Sequence, residues 1–432
     1  MYQTFATYGA FFYVDVLLLP AAAVGVGMAA FGLWNAVNDL IVGYWSDRTR
    51  TRWGRRRPYI LLGTVPLVAS FALLWSPPAG LEGGRLFVWF LAWAFVFDLF
   101  YTVVVLNWAA LFPEVTESLG ERAGLSAVRQ GFRIVGTIAA VAGTPLLYAG
   151  VGWPTMGLLF AAVSAVFLYF SAQGVVERPE FALGEPLPLR SAMRQTLADR
   201  AFVTLMVASV AVNFTYVALA TTFPFYARYV LEATEQSVSL IMGAIFVVAF
   251  VLLQPWRRLA VRLGAWQATR LAIGVFAVSL VPLAFAKVVW HGLAAALALG
   301  CGLAGLMVAL DILLADVIDA DEVRTGLRRE GMYYGVNGVL IRLGVTLQAL
   351  FMGGILTLSG YEAALPPGLQ PPAAVLGLRL MISGLPILAL GAAALGLRAY
   401  PLHGRELARV QDELADLHAA KADLLKEEER GG

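Results

Sequence analysis

Long apolar runs alternate with short polar connections from one end of this chain to the other. A helix that crosses a bilayer core needs about 20 mostly apolar residues. The pattern predicts such helices over residues 1–17, 21–46, 58–76, 86–112, 123–148, 154–172, 201–228, 236–260, 267–288, 290–318, 331–358 and 374–398. The first run has no basic leading region and no small-residue cleavage site, so it does not read as a cleaved signal peptide. The expected fold class is therefore an all-α membrane protein of about twelve transmembrane helices.

Composition agrees. Hydrophobic residues make up 59% of the 432 positions and charged residues 14%, with a mean hydropathy of +0.74. A soluble domain carries about 25% charged residues, and a single soluble core stops growing near ~250–300 residues. The net charge of +2 leaves no footprint for a nucleic-acid partner. The lone cysteine, Cys301, excludes a disulfide within the chain, and His291, His403 and His418 are scattered rather than clustered as metal ligands. There is no Walker loop, nucleophile elbow or dinucleotide fingerprint. The expectation is neither an enzyme nor an ATP-driven pump, with no cofactor.

Arginine sets the orientation. Arg48, Arg50, Arg52, Arg55, Arg56 and Arg57 follow the second helix, and Arg257, Arg258 and Arg262 follow the eighth. Loops on the other side are short and contribute Arg85 alone. Both termini are expected in the cytoplasm, in a cytoplasmic (inner) membrane. The two halves echo each other: Arg48-x-x-x-Arg52-x-Gly54 recurs six helices later as Arg258-x-x-x-Arg262-x-Gly264. This points to two pseudo-symmetric six-helix bundles, 1–172 and 201–398, joined by a cytoplasmic loop over 173–200. That is the organisation of the major facilitator fold, whose site lies between the halves near the midplane. Beyond residue 399, Leu407, Val410, Leu414, Leu417, Lys421 and Leu424 form a heptad stripe. It predicts a cytoplasmic amphipathic helix on the bundle or the membrane surface.

Ionisable groups inside a membrane are expensive, so each is informative. The second helix carries Asn35, Asn38 and Asp39, with Asn35, Asp39 and Gly43 on one face. One carboxylate and two amides there suit a hard cation or a proton. In the eleventh helix Arg342 cannot shed its proton and needs an acid, for which Asp39 is the candidate. The fourth helix carries Asp98, Tyr101, Thr102, Asn107 and Trp108, an aromatic and carboxylate face that suits a polyol or an amine. Arg129 and Arg133 share a face of the fifth helix, and Asp311 lies deep in the tenth. Asp316, Asp319, Asp321 and Glu322, near the cytoplasmic loop, are expected to pair with its arginines as a gate. Asp47, Arg48, Arg52 and Gly54 are expected to form a latch at the cytoplasmic mouth.

Trp34-Asn35-Ala36-Val37-Asn38-Asp39, then Ser46-Asp47-Arg48 through Arg55-Arg56-Arg57-Pro58-Tyr59, resemble the glycoside–pentoside–hexuronide:cation symporter family. Trp108 through Pro113, Glu121-Arg122 leading to Arg129, Ala315-Asp316-Val317-Ile318-Asp319 and Arg329-Glu330-Gly331 extend the likeness across both halves. The resemblance implies a cation site at Asn35, Asn38 and Asp39, a sugar-contacting tryptophan at Trp108 and a sugar-site arginine at Arg129. It places the family's lysine of the eleventh helix at Arg342. Three departures stand out. The family's first acid of the second helix is Asn35, its sugar-binding aspartate of the fourth helix is Val104, and Met1 falls partway along its first helix.

The expected function is cation-coupled symport of a sugar or glycoside by alternating access. Asp39, Asn35, Asn38 and Arg342 would couple the ion, and Trp108, Tyr101, Arg129 and Asp98 would hold the substrate. A single acid at Asp39 favours a proton over sodium, although sodium could also bind there. The partners expected are a small solute and membrane lipid, with the protein a monomer. The alternatives are a transporter of an amphipathic lipid or drug-like solute, and a non-transporting receptor or scaffold.

Overall fold

In the computed structural model the described residues are 1–49, 51, 54, 56–115, 119–173, 198–325 and 330–417. Among the described residues, twelve helical columns follow the predicted runs. They are α1 (Tyr2–Phe11, continuing as a π-helical turn Phe12–Val16), α2 (Ala21–Arg48), α3 (Arg57–Leu74), α4 (Gly83–Val115), α5 (Leu119–Val151) and α6 (Trp153–Gln173). After them come α7 (Arg200–Tyr229), α8 (Glu235–Leu263), α9 (Ala265–Phe285), α10 (Val289–Thr325) and α11 (Glu330–Leu358). The last column, α12, runs Pro372–Arg379, Leu380–Gly384 and Leu385–Arg398, its middle piece π-helical.

Eleven of these columns are long and apolar enough to cross a membrane; α1 is not among them. Its 15 residues rise only about 22 Å, short of a ~30 Å hydrocarbon core. Large apolar side chains such as Leu62, Phe167, Phe170, Phe285 and Trp290 lie exposed on the outside, the surface that lipid would cover. Pro66, Pro145, Pro224, Pro255 and Pro282 sit inside helices, as neighbouring helices in a membrane bundle permit.

The packing repeats with a shift of six. α3 packs on α4 and α6, and α9 on α10 and α12; α2 meets α4 as α8 meets α10; α1 meets α5 as α7 meets α11. The two sets touch through α2 with α11, α5 with α8, and α1 with α7. The echo in the loops is a shared backbone need: Gly54 and Gly264 have φ of 101° and 83°, a region open to glycine and costly for other residues. Gly264 alone links α8 to α9. At the start of α7, Asp199 caps the helix by accepting from the Ala201 and Phe202 N–H groups at 2.8 and 3.3 Å.

The tail is helical over 405–417. Val410 is buried and Leu407, Leu414 and Leu417 are half-buried, while every other described residue of that helix is exposed. The stripe thus turns toward the protein. Lys421 and Leu424 lie outside the described residues, as does most of 173–200.

Candidate functional site

α2 and α11 run antiparallel and meet along one line. Gly25, Gly32 and Asp39 are spaced by seven, which keeps them on one helix face. They face Gly353, Thr346 and Arg342. A Cβ on Gly25 would lie 2.8 Å from the Gly353 Cα, and one on Gly32 would collide with the Thr346 Oγ1. Further along, Arg342 Nη2 donates to Asp39 Oδ2. The second carboxylate oxygen of Asp39 accepts from Thr102 Oγ1 of α4 at 2.9 Å. Both charged side chains are 27% exposed, because they border a cavity.

Asn35 and Asn38 turn away from Asp39. Asn35 Nδ2 donates to Asp98 Oδ1 at 2.5 Å. Asn38 Nδ2 donates to the Asp98 backbone oxygen at 3.1 Å and to Oδ2 at 3.3 Å. The two amides therefore hold the acid of α4 instead of joining the acid of their own helix. A carboxylate only accepts, so the amide nitrogens face it. Asp98 is 0% exposed, Asn38 1% and Asn35 6%.

A cavity of about 870 Å³ lies between the halves. Tyr2, Tyr101, Tyr216 and Asn213 border it, with Arg133 of α5 on one wall and Asp311 of α10 on the other. A second space of about 540 Å³ shares Tyr2, Tyr101 and Tyr216 and is bordered by Asn35, Asp39 and Arg342. Of the residues expected to hold substrate, Tyr101 lines both spaces, and Asp98 is sealed behind them. Trp108 and Arg129 meet each other, the guanidinium 5.7 Å from the indole centroid, and Trp108 Nε1 donates to Ser171 Oγ of α6 at 2.6 Å. Neither of the two is among the residues lining the cavities. Arg133, one turn beyond Arg129 on the same face, is the arginine that reaches the cavity.

At the end remote from the arginine loops, the π-helical turn of α1 presents Asp15, whose carboxylate side chain is fully buried. It accepts from Arg228 Nη1 and the Tyr229 hydroxyl of α7, each at 2.5 Å, and from the Tyr361 hydroxyl after α11. Ser239 of α8 donates to the Ala142 oxygen of α5 at 2.6 Å near the same end. Sequence reasoning missed Asp15, though it is the only charged residue of the first apolar run.

At the arginine-rich end, Gly54 turns the chain and accepts from Thr51 Oγ1 at 2.6 Å. The expected latch residues Asp47, Arg48 and Arg52 lie outside the residues whose side chains are described. Asp316 is buried with its Oδ2 unpartnered. Of the four acids expected to meet the loop arginines, Asp321 binds Arg324 at 2.7 Å, and Arg324 also reaches Asp199 at 3.4 Å.

The family model described as MFS/sugar transport protein matches residues 1–404. The uncharacterized symporter sll1374 of Synechocystis sp. is 27% identical over 480 residues, covering 87% of this chain and 86% of that protein. The isoprimeverose transporter of Lactiplantibacillus pentosus is 25% identical over 444 residues, covering 97% and 89%. Among solved structures, a bacterial homologue of the human lysosomal transporter Spinster, inward-facing and unoccupied, matches with a TM-score of 0.65 at 14% identity, covering 94% of each chain. At that identity the likeness is one of fold.

Proposed function

The chain belongs to the MFS/sugar transport protein family and to its glycoside–pentoside–hexuronide:cation symporters, and on that premise we propose that it is a proton-coupled symporter of a sugar or glycoside. The protein is an integral membrane secondary transporter. The observation that carries the coupled reading is the Arg342–Asp39 pair, which joins the two halves beside the cavity.

The proposed cycle follows from that pair. The halves 1–172 and 201–398 rock about the cavity in a cytoplasmic membrane, with both termini and the arginine loops in the cytoplasm. The site of Asp39, Asn35, Asn38 and Arg342 takes the coupling ion. With no ion bound, Asp39 holds Arg342 and the α2–α11 seam is fastened; ion binding loosens the pair and frees the halves to move. Tyr101 and Arg133 meet the substrate in the cavity, where an aromatic face can stack on a sugar ring and a guanidinium can bind hydroxyls or an acid group. Trp108 and Arg129 are the residues that the family resemblance adds.

Reconstituted liposomes with an imposed proton or sodium gradient test this reading. Asp39→Asn should abolish uphill uptake while sparing part of the downhill exchange, because exchange need not return the empty carrier. Uphill uptake equal to that of the parent protein would overturn it.

A further inference from the structure

We propose that Asp311 of α10 selects the substrate by charge: it receives a protonated amino group, so the sugar that enters the cavity is an amino sugar rather than a neutral one. The proposal rests on the symport reading above and names the class of sugar taken by that same cavity.

The starting point is an acid that the protein leaves open. Asp311 lies about one turn from Met307, the middle residue of α10, deep in a membrane-spanning helix. An ionisable group at such a position is costly and faces either a partner or a water-filled space. Three other acids of the bundle have partners. Asp15 accepts from Arg228, Tyr229 and Tyr361, Asp39 from Arg342 and Thr102, and Asp98 from Asn35 and Asn38. Among the described residues none bonds to the Asp311 carboxylate. Asp311 is exposed, and it opens into the cavity of about 870 Å³. An acid kept for structure would be tied to a neighbouring helix; this one is presented to the contents of the cavity.

Its surroundings say what kind of group answers it. Arg133 and Asp311 are the charged side chains among the described residues that line this space. They act on each other electrostatically without bonding. An acid on one wall and a base on the other match a solute that is itself dipolar, with an amine toward Asp311 and hydroxyls or an acid group toward Arg133.

Two further features fit an ammonium. Such a group presents three N–H donors and no acceptor, and the wall of the second half offers another acceptor. Asn337 of α11 borders the cavity, and its Oδ1 is buried without a donor. Aromatic rings complete the setting. Tyr216 of α7 and Phe246 of α8 both line the cavity and meet edge to face, with centroids 6.5 Å apart. The face of such a ring attracts a cation.

A neutral sugar also carries donors, in its hydroxyls. The difference is charge. Substrate strips water from Asp311, in a setting that screens charge poorly. There a hydroxyl bonds to the carboxylate and leaves its charge in place, whereas an ammonium bonds and cancels it. The cavity therefore discriminates by an ion pair that neither a hexose nor an N-acetylated hexosamine can form.

Equilibrium binding to the purified protein, read by thermal shift over a concentration series, tests this. The probes are glucosamine, galactosamine and mannosamine, each beside its parent hexose and its N-acetyl derivative, at a pH below the pKa of the amine. In the parent protein at least one amine should bind tenfold or more tighter than both of its neutral counterparts. Asp311→Asn should bring the three within about threefold of one another by weakening the amine alone. Asp311→Glu keeps the charge and should retain part of the preference. Amines and neutral sugars bound alike by the parent overturn the proposal. So does a loss in Asp311→Asn that all the sugars share equally, which would make Asp311 a packing or gating group. The parent comparison needs no variant, so the test stands even if Asp311→Asn does not fold. Binding of the neutral sugars without the amines sinks this inference and leaves the sugar reading intact. Silence from the whole panel also overturns it, while the sugar reading then rests on a wider screen of glycosides. Ion coupling is decided separately, by the liposome assay.

Discussion

Gly25 of α2 and Gly353 of α11 touch backbone to backbone: a Cβ built on Gly353 would lie 2.9 Å from the Gly25 Cα, and the reverse construction gives 2.8 Å. Helices reach such an approach only where both lack side chains. The contact belongs to the end of the molecule where Asp15 is tied to α7, so two separate links join the six-helix sets there, while the cavity residues lie toward the arginine-rich end.

Gly25→Ala or Gly353→Ala should therefore force this end apart. Overpacking of that kind costs about 1–3 kcal/mol, which shifts a two-state equilibrium by roughly 5–150-fold. Nitroxide labels at Ala22 and Leu358, in a Cys301→Ser background, should gain a longer-distance population. An unchanged distance distribution would mean that the seam does not hold the end closed.

Asp15 offers an independent handle on the same end. Tyr361→Phe removes one neutral donor, worth about 1 kcal/mol, while Asp15→Asn removes the acceptor charge that three side chains share and should cost more. The nitroxide pair should open in the order Asp15→Asn, then Tyr361→Phe, then parent. Equal distributions in all three would leave the cluster without a gating role.

The two arginines of α5 can be separated by binding. A thermal-shift screen over glycosides, pentosides and hexuronides should find stabilising solutes. Arg133→Ala should weaken their binding at least tenfold, about 1.4 kcal/mol, and Arg129→Ala less than threefold. The reverse order would place the substrate beside Trp108, as the family resemblance implies.

Topology is checked with reporter fusions. Fusions at Gly83 and at Gly432 should report opposite sides of the membrane. Finding both on one side would remove the twelve-helix arrangement.

The helices were legible because lipid demands continuous apolar length, and the loop echo because Gly54 and Gly264 answer the same need for a left-handed backbone. The site was legible only in part. Spacing places Asn35 and Asn38 beside Asp39 on α2, but no spacing rule says that Asp98 lies between those amides; helix packing does. Asp15 draws its donors from 213, 214 and 346 residues away, beyond any local pattern. Arg129 and Arg133 share a face by sequence, and only the rotation of α5 against its neighbours decides which of them meets the cavity.

The Arg342–Asp39 pair closes a separation of 303 residues. Ribosomes add roughly 5–20 residues each second, so a newly inserted α2 waits on the order of 15–60 s before α11 exists. Through that interval Asp39 has the Thr102 hydroxyl, 63 residues away, but not yet the Arg342 guanidinium. The first half of the protein must tolerate an unanswered acid during its own birth. A fragment ending before α11 would lack the guanidinium that Asp39 holds in the finished chain.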